Sequence, residues 1–222
     1  MFFARTPIRA LLCDENEGLI TAYRAMRGQL PELTARLAEL AAEHTRGGYY
    51  VQRARYNHAA LTSCERAALF IYLNKTGFRG LYRTNKRGEL NTPCGRDSCL
   101  IDFAALQRAA SALRCCDLVA GDYGQLALDG GDFVYIDPPY APVSATSFVA
   151  YTRDGFDAAA QTRLRDTVDA LDRRGCKLML SNSDTPEMRA LYSRYRVDTV
   201  SVRRSIGGTR RQIAAEIVVR NY

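Results

Sequence analysis

The chain has no tryptophan, no Cys-x-x-Cys pair and only two histidines, His44 and His58, which lie in a polar stretch away from paired cysteines. Tetrahedral zinc needs four convergent ligands, so no metal is expected. The seven cysteines are Cys13, Cys64, Cys94, Cys99, Cys115, Cys116 and Cys176. Their odd number and irregular spacing argue against a disulfide framework, and adjacent Cys115 and Cys116 read as small core residues on a strand. No apolar run reaches the ~18 residues of a membrane span. Residues 1–13 carry Arg5 and Arg9 and no continuous apolar segment, so no signal peptide is expected there. The default is a cytoplasmic protein in a reducing compartment. Negative charge is in the minority, with 24 Asp and Glu against 31 Lys and Arg, a net +7. That balance favours polyanionic partners, nucleic acid first.

What is present is enough for a core. Apolar residues make up 47% of 222, which suits one moderately large domain or a domain with a smaller insert. No internal repeat or low-complexity linker interrupts it. Residues 8–13 form a short apolar run ending at Asp14, read as a buried strand. Residues 17–43 have helical periodicity through Leu19, Ile20, Tyr23, Met26, Leu30, Leu33, Leu37 and Leu40, with Pro31 placed to split the helix. Gly47-Gly48 reads as the end of that region. Thr62 or Ser63 caps a helix through Leu73, and Asp102 opens another to about Leu113. Residues 77–95, rich in Gly, Asn, Arg and Lys, predict a structured loop or hairpin.

Residues 115–120 and 133–136 are further apolar runs ending at Asp122 and Asp137. Asp157 caps a helix to about Arg174, and residues 177–180 form a strand ending at Ser181-Asn182. Strands that end in polar residues and alternate with helices predict an open, mostly parallel α/β sheet, with ligand at the strands' carboxyl ends. Residues 197–202 and 213–219 alternate as an antiparallel pair about a Gly207-Gly208 turn.

Asp137-Pro138-Pro139-Tyr140, directly after an apolar strand, is the most specific signal. Consecutive prolines have fixed φ and no N–H, so they make a stiff corner with free carbonyls. The Asp137 carboxylate and the Pro138 carbonyl can accept the two protons of an exocyclic base amine. That drives the nitrogen toward sp³ and directs its lone pair at a methyl group, while Tyr140 offers a face on which a flipped base stacks. Asp137 then acts by orientation and charge stabilisation rather than by acid strength. Pro-Pro alone would mean only a strand end.

With this tetrapeptide the chain resembles the adenine-specific DNA methyltransferases of the Dam type, over nearly all of its length. Residues 70–83 (F-I-Y-L-N-K-T-G-F-R-G-L-Y-R) and 85–95 (N-K-R-G-E-L-N-T-P-C-G) resemble the segments of the family's target-recognition region. Residues 137–145 (D-P-P-Y-A-P-V-S-A), 180–184 (L-S-N-S-D), 203–206 and 216–222 follow in family order. The resemblance implies methyl transfer from S-adenosylmethionine to adenine N6 in duplex DNA, typically at GATC. It implies a Rossmann-like methyltransferase sheet, residues 1–50 and 114–222, with an inserted, mostly helical recognition region, residues 51–113. Asp137, Pro138 and Tyr140 take the catalytic positions. Asp14, Asp122, Tyr123 and Asp137 take the cofactor positions, a carboxylate being a good acceptor for ribose hydroxyls. Methylation of cytosine N4 or of RNA is the rival chemistry, and an Asp rather than a Ser at the head of the tetrapeptide favours adenine by resemblance.

Lys75, Arg79, Arg83, Lys86, Arg87 and Arg96, with Asn85 and Asn91 among them and only Glu89 opposing, form a segment suited to phosphates and base edges. Composition alone leaves a solvated loop equally open. Arg203 and Arg204, with Arg210 and Arg211, make a second cluster that reads as a phosphate clamp or a hairpin tip. The chain departs from the family at Leu90, Thr92 and Cys94 and at Asp97-Ser98-Cys99, which leaves the target sequence open. The family's first strand and F-x-G-x-G turn, which lets backbone approach the cofactor, have no counterpart here. Three readings remain: an upstream start, a second chain that supplies the strand, or a catalytically inactive DNA-binding remnant.

Overall fold

The computed structural model describes residues 2–5, 7–95, 99, 101–143, 156–204 and 212–222. They form an α/β protein of two compact units, Met1–Gln125 and Leu126–Tyr222. The first unit contains α1 (Phe2–Arg5), β1 (Ala10–Asp14), α2 (Glu17–Gly28), α3 (Leu30–Ala42), α4 (Arg46–His58), α5 (Ser63–Thr76), α6 (Phe103–Ala112) and β2 (Cys116–Ala120). β1 and β2 pair in parallel, from Ala10 opposite Cys116 to Asp14 opposite Ala120.

The helices start where local chemistry supplies an acceptor for their unpaired N–H groups. Asn16 accepts from Leu19 N to open α2, and Pro31 sits in the first turn of α3, where its missing N–H costs nothing. Thr62 and Glu65 form a reciprocal capping box at α5. α5 buries residues all round and is the hub against which α2, α3 and α4 pack. Leu33, Leu37, Leu69 and Leu73 are each at most 1% exposed, and full burial of a leucine stabilises by about 1.5–3 kcal/mol. Gly18 lets α2 come close: a Cβ there would meet Tyr56 Oη at 2.6 Å and the Phe70 ring at 2.8 Å.

The second unit contains β3 (Phe133–Ile136), α7 (Ala158–Arg173), β4 (Lys177–Ser183), α8 (Pro186–Leu191), β5 (Arg196–Arg204) and β6 (Gln212–Arg220). Its sheet has the order β3-β4-β6-β5. β3 and β4 are parallel, and β6 runs antiparallel to both β4 and β5. Asp157 caps α7 through Ala160 N, as its position before an amphipathic run predicts.

Three expectations need correction. The described strands are not mostly parallel, since two of the four strand pairings are antiparallel. Gly47-Gly48 does not end a helical region: Thr45 caps Gly48 N, and both glycines lie in the first turn of α4. The runs read as buried strands are only partly so. Phe133 is 51% exposed, Tyr135 41% and Ile8 99%, because among the described residues β3 has a strand on one side only, and Ile8 precedes β1. The Gly207-Gly208 turn lies outside the described residues. Among the described residues no helix is long and apolar enough to cross a membrane, and no group of three metal-ligating side chains converges. All seven cysteines are free thiols.

Candidate active site

β3 delivers Asp137 at its carboxyl end, beside the end of β4, since Ile136 lies opposite Leu180. The residues that follow are docked onto β4, β6 and α7 by side chains. Ser181 Oγ donates to Asp137 Oδ1 at 2.8 Å and lies 3.1 Å from the Tyr135 hydroxyl. The Tyr140 hydroxyl donates to Glu216 Oε2 at 3.2 Å. Gln161 Nε2 donates to the Pro139 carbonyl at 3.0 Å, and Ala141 N donates to Asn182 Oδ1 at 2.9 Å. Asn182 Nδ2 closes the circuit by donating to Gln161 Oε1 at 3.0 Å.

Asp137 is exposed, and the two prolines and Tyr140 are half-buried. The Pro139 carbonyl is occupied, whereas that of Pro138 accepts no hydrogen bond among the described residues. The corner therefore carries an exposed anionic acceptor, Asp137, and a neutral one, the Pro138 carbonyl, that has no partner among the described residues. Burial pushes the Tyr140 phenol well above its ordinary pKa, with the charges of Asp137 and Glu216 adding to the shift and the Ser181 hydrogen bond opposing it. The ring stays neutral across the physiological range and available for stacking.

In the first unit, the carboxyl ends of β1 and β2 gather another set of acidic residues. Asp14 Oδ1 accepts from Asn16 N at 2.7 Å, and Asp122 Oδ1 accepts from Gly124 N at 2.6 Å. Gly121 N donates to the Asp14 carbonyl at 3.1 Å, which ties the two strand ends together. Tyr123 starts a short 3-10 turn after Asp122. The Cys13 thiol, donating to the Gly121 carbonyl, has its pKa raised by burial first and then by Asp14, Asp122 and Glu15. Tyr23 and Tyr82 are shifted up by burial and by Asp14. Carboxylates at such a strand end are acceptors that could hold the hydroxyl groups of a ligand.

The basic loop of residues 77–95 is anchored at its base by close backbone contact. Phe78 N donates to Pro93 O and Gly95 N to Thr76 O, where a Cβ on Gly95 would meet the Thr76 and Gly77 carbonyls at 2.8 Å. α4 holds the return limb: Tyr49 and Arg53 donate to the Thr92 carbonyl, and Asn57 exchanges hydrogen bonds with the Leu90 backbone. Asn85 organises the tip, its amide oxygen accepting from Arg87 N and Glu89 N and its nitrogen donating to Glu89. Arg83 is tied to Asn91 through Nε at 2.8 Å. Lys75, Arg79, Lys86 and Arg87 are exposed. Arg79 has φ of 55° and stacks on Phe78, 5.2 Å from the ring centre. A groove of about 550 Å³ is lined by residues 75–80 and Gly95. Arg96 and the side chains of Arg203 and Arg204 lie outside the described residues.

Reasoning from the sequence missed Gln161, Ser181, Asn182 and Glu216 as residues of the corner, and Tyr49, Arg53 and Asn57 as supports of the loop. The last three recur every four residues on α4, a helical stripe of polar groups that gave the one available signal.

Residues 1–206 match the family model described as D12 class N6 adenine-specific DNA methyltransferase. The chain is 33% identical over 234 residues to the Type II methyltransferase M1.LlaDCHI of Lactococcus lactis subsp. cremoris, covering all of this chain (100%) and 82% of that protein. It is 34% identical over 233 residues to the Type II methyltransferase M.MjaIII of Methanocaldococcus jannaschii, covering 96% and 80%. It is 36% identical over 218 residues to the DNA adenine methylase of Escherichia coli K12, covering 92% and 77%. An Asp-Pro-Pro-Tyr corner with an exposed aspartate and a match of this extent lead to one conclusion: the chain belongs to the D12 class of N6 adenine-specific DNA methyltransferases.

Proposed function

We propose that this DNA adenine N6-methyltransferase takes its methyl group from S-adenosylmethionine and works on duplex DNA, with GATC the first target to test. In this reading Asp137, Pro138 and Tyr140 receive the adenine. Asp14, Asp122, Tyr123 and Asp137 hold the cofactor. Lys75, Arg79, Arg83, Asn85, Lys86, Arg87, Asn91, Arg96, Arg203 and Arg204 contact DNA. Residues 1–50 with 114–222 carry the transfer, and residues 51–113 carry recognition. The seven free thiols suit a reducing compartment, and we assign the enzyme to the cytoplasm.

The observation that carries the reading is the pair of acceptors at the corner, the exposed Asp137 carboxylate and the Pro138 carbonyl with no partner among the described residues. The exposed Asp137 carboxylate takes one N6–H and the Pro138 carbonyl takes the other, while the Pro139 carbonyl is already engaged by Gln161. With both protons held, the nitrogen lone pair is directed out of the ring plane, and the carboxylate stabilises the positive charge that develops. The cofactor, when bound, supplies an electrophilic methyl group on a sulfonium. Tyr140 stacks on the extruded base, held in place by its hydroxyl bond to Glu216. At the strand ends of the first unit, Asp14 and Asp122 supply acceptors for the cofactor's hydroxyl and amine groups. Exposed Lys86 and Arg87 at the loop tip supply phosphate contacts, and Asn85 and Asn91, besides their contacts to DNA, shape that loop.

Calorimetric titration of S-adenosylmethionine into the protein, with and without a GATC duplex, tests this, followed by tritiated methyl transfer to duplexes of varied sequence. Cofactor binding with transfer to adenine supports the proposal. A folded protein that binds duplex but no cofactor overturns it in favour of a DNA-binding remnant.

A further inference from the structure

We infer that Gln161 and Asn182 are positioning residues for methyl transfer: a buried amide pair that selects which proline carbonyl faces the substrate amine. The inference rests on the reading that the corner at residues 137–140 receives the base.

Asn182 is 0% exposed and Gln161 3%. Burying two primary amides in place of apolar side chains is costly unless every polar group is matched. Here each side-chain oxygen and nitrogen has a partner. Asn182 Oδ1 accepts from Ala141 N at 2.9 Å and from Ser183 N at 2.8 Å, and its nitrogen donates to Gln161 Oε1 at 3.0 Å. Gln161 Nε2 then donates to the Pro139 carbonyl at 3.0 Å. The backbone groups held in this way, Pro139 C=O and Ala141 N–H, bracket Tyr140.

The need for such a clamp follows from the prolines. Pro138 and Pro139 have no N–H, so the middle of the corner has no donor with which to join a ladder. It is fixed from outside, through the Pro139 carbonyl and the Ala141 N–H. By engaging the Pro139 carbonyl, Gln161 leaves that of Pro138 as the neutral acceptor beside Asp137. Ser181, adjacent to Asn182 on β4, fixes the carboxylate. One strand end thus sets both acceptors. A fully buried hydrophobic pair would leave the Pro139 carbonyl and the Ala141 N–H without these partners.

The test compares the parent with Gln161→Met, which keeps the volume and removes both hydrogen bonds. Hydrogen exchange read by mass spectrometry on residues 137–143 reports the clamp whether or not transfer occurs. The Ala141 amide is expected to be protected in the parent and to exchange about tenfold or more faster in the variant, with helix α7 and strand β4 unchanged. Single-turnover transfer is expected to fall about 100-fold, the effect of a reacting group displaced by about 1 Å, with duplex affinity unchanged. An unprotected Ala141 amide in the parent overturns the inference without any variant. So does full transfer by Gln161→Met, or a parallel loss of melting temperature, duplex affinity and rate. A parent that transfers no methyl group counts against the proposed function instead, and the exchange result then decides the clamp.

Discussion

Replacing Asp137 with alanine should separate chemistry from binding. The Asp137 carboxylate is exposed, and its hydrogen bond within the protein comes from Ser181 Oγ at 2.8 Å. Ser181 keeps the Tyr135 hydroxyl at 3.1 Å after the change, so no buried group is orphaned. The cost to folding should stay within about 1 kcal/mol, the net worth of one hydrogen bond. The transition state loses much more, because a preorganised acceptor facing developing charge contributes about 2.7–4 kcal/mol, a rate factor of about 10²–10³. Asp137→Asn retains one acceptor oxygen but loses the charge and presents an N–H to the amine, so it should fall in the same range. The assay is rapid-quench single-turnover transfer of a labelled methyl group at saturating cofactor. Duplex affinity is read by anisotropy at fixed salt, since affinity varies steeply with ionic strength, and melting by circular dichroism. A rate within tenfold of the parent would refute the catalytic role. A loss of duplex affinity as large as the loss of rate would show that Asp137 serves binding.

Tyr140→Ala should slow transfer by about 5- to 150-fold, the equivalent of 1–3 kcal/mol of base stacking, whereas Tyr140→Phe keeps the ring and should stay close to the parent. Because the phenol's pKa is raised, the pH–rate profile should show no Tyr140 inflection up to pH 9. Lys86→Ala with Arg87→Ala should weaken duplex binding across all sequences and reduce the slope of log K against log salt by about 2 if each makes one phosphate contact; an unchanged slope would remove the loop tip from the interface. The Arg189 guanidinium, bonded to Asp184 at 2.6 Å, holds that carboxyl below its ordinary pKa. A depressed folded-state pKa gives stability that is present above the unfolded value of about 3.9 and lost as pH falls through the folded value. The melting-temperature gap between the parent and Arg189→Ala should therefore be constant at neutral pH and close below about pH 4; a gap that persists in acid would refute the linkage.

How much of this was legible beforehand depended on how local the physics was. Thr62, Asp102 and Asp157 cap the helices they were expected to open, Pro31 divides α2 from α3, and the runs ending at Ala120 and Ile136 end where β2 and β3 end, while β4 continues past its apolar run to Ser183. Each is a matter of neighbouring residues, and a short window contains the whole interaction. The Asp-Pro-Pro-Tyr chemistry was legible for the same reason, since two prolines fix φ and remove two donors whatever surrounds them. Helix α4 was not. Its face toward the basic loop uses Tyr49, Arg53 and Asn57 to bind the backbone at Leu90 and Thr92, and hydrogen-bonding stripes leave no apolar periodicity to read.

The sequence by itself determined most of the elements, though not α4 or α8, together with the anionic strand ends at Asp14, Asp122 and Asp137 and the family. The tertiary structure alone decided which acceptors are left for the substrate. The residues that settle it, Gln161, Ser181, Asn182 and Glu216, stand between 21 and 76 positions from the groups they hold. Their side chains look like ordinary helix and strand residues until the sheet brings β4 and β6 beside the corner. Hydrogen bonds are directional and short in range, so a partner that distant in the chain becomes visible only when the fold sets it within hydrogen-bonding distance.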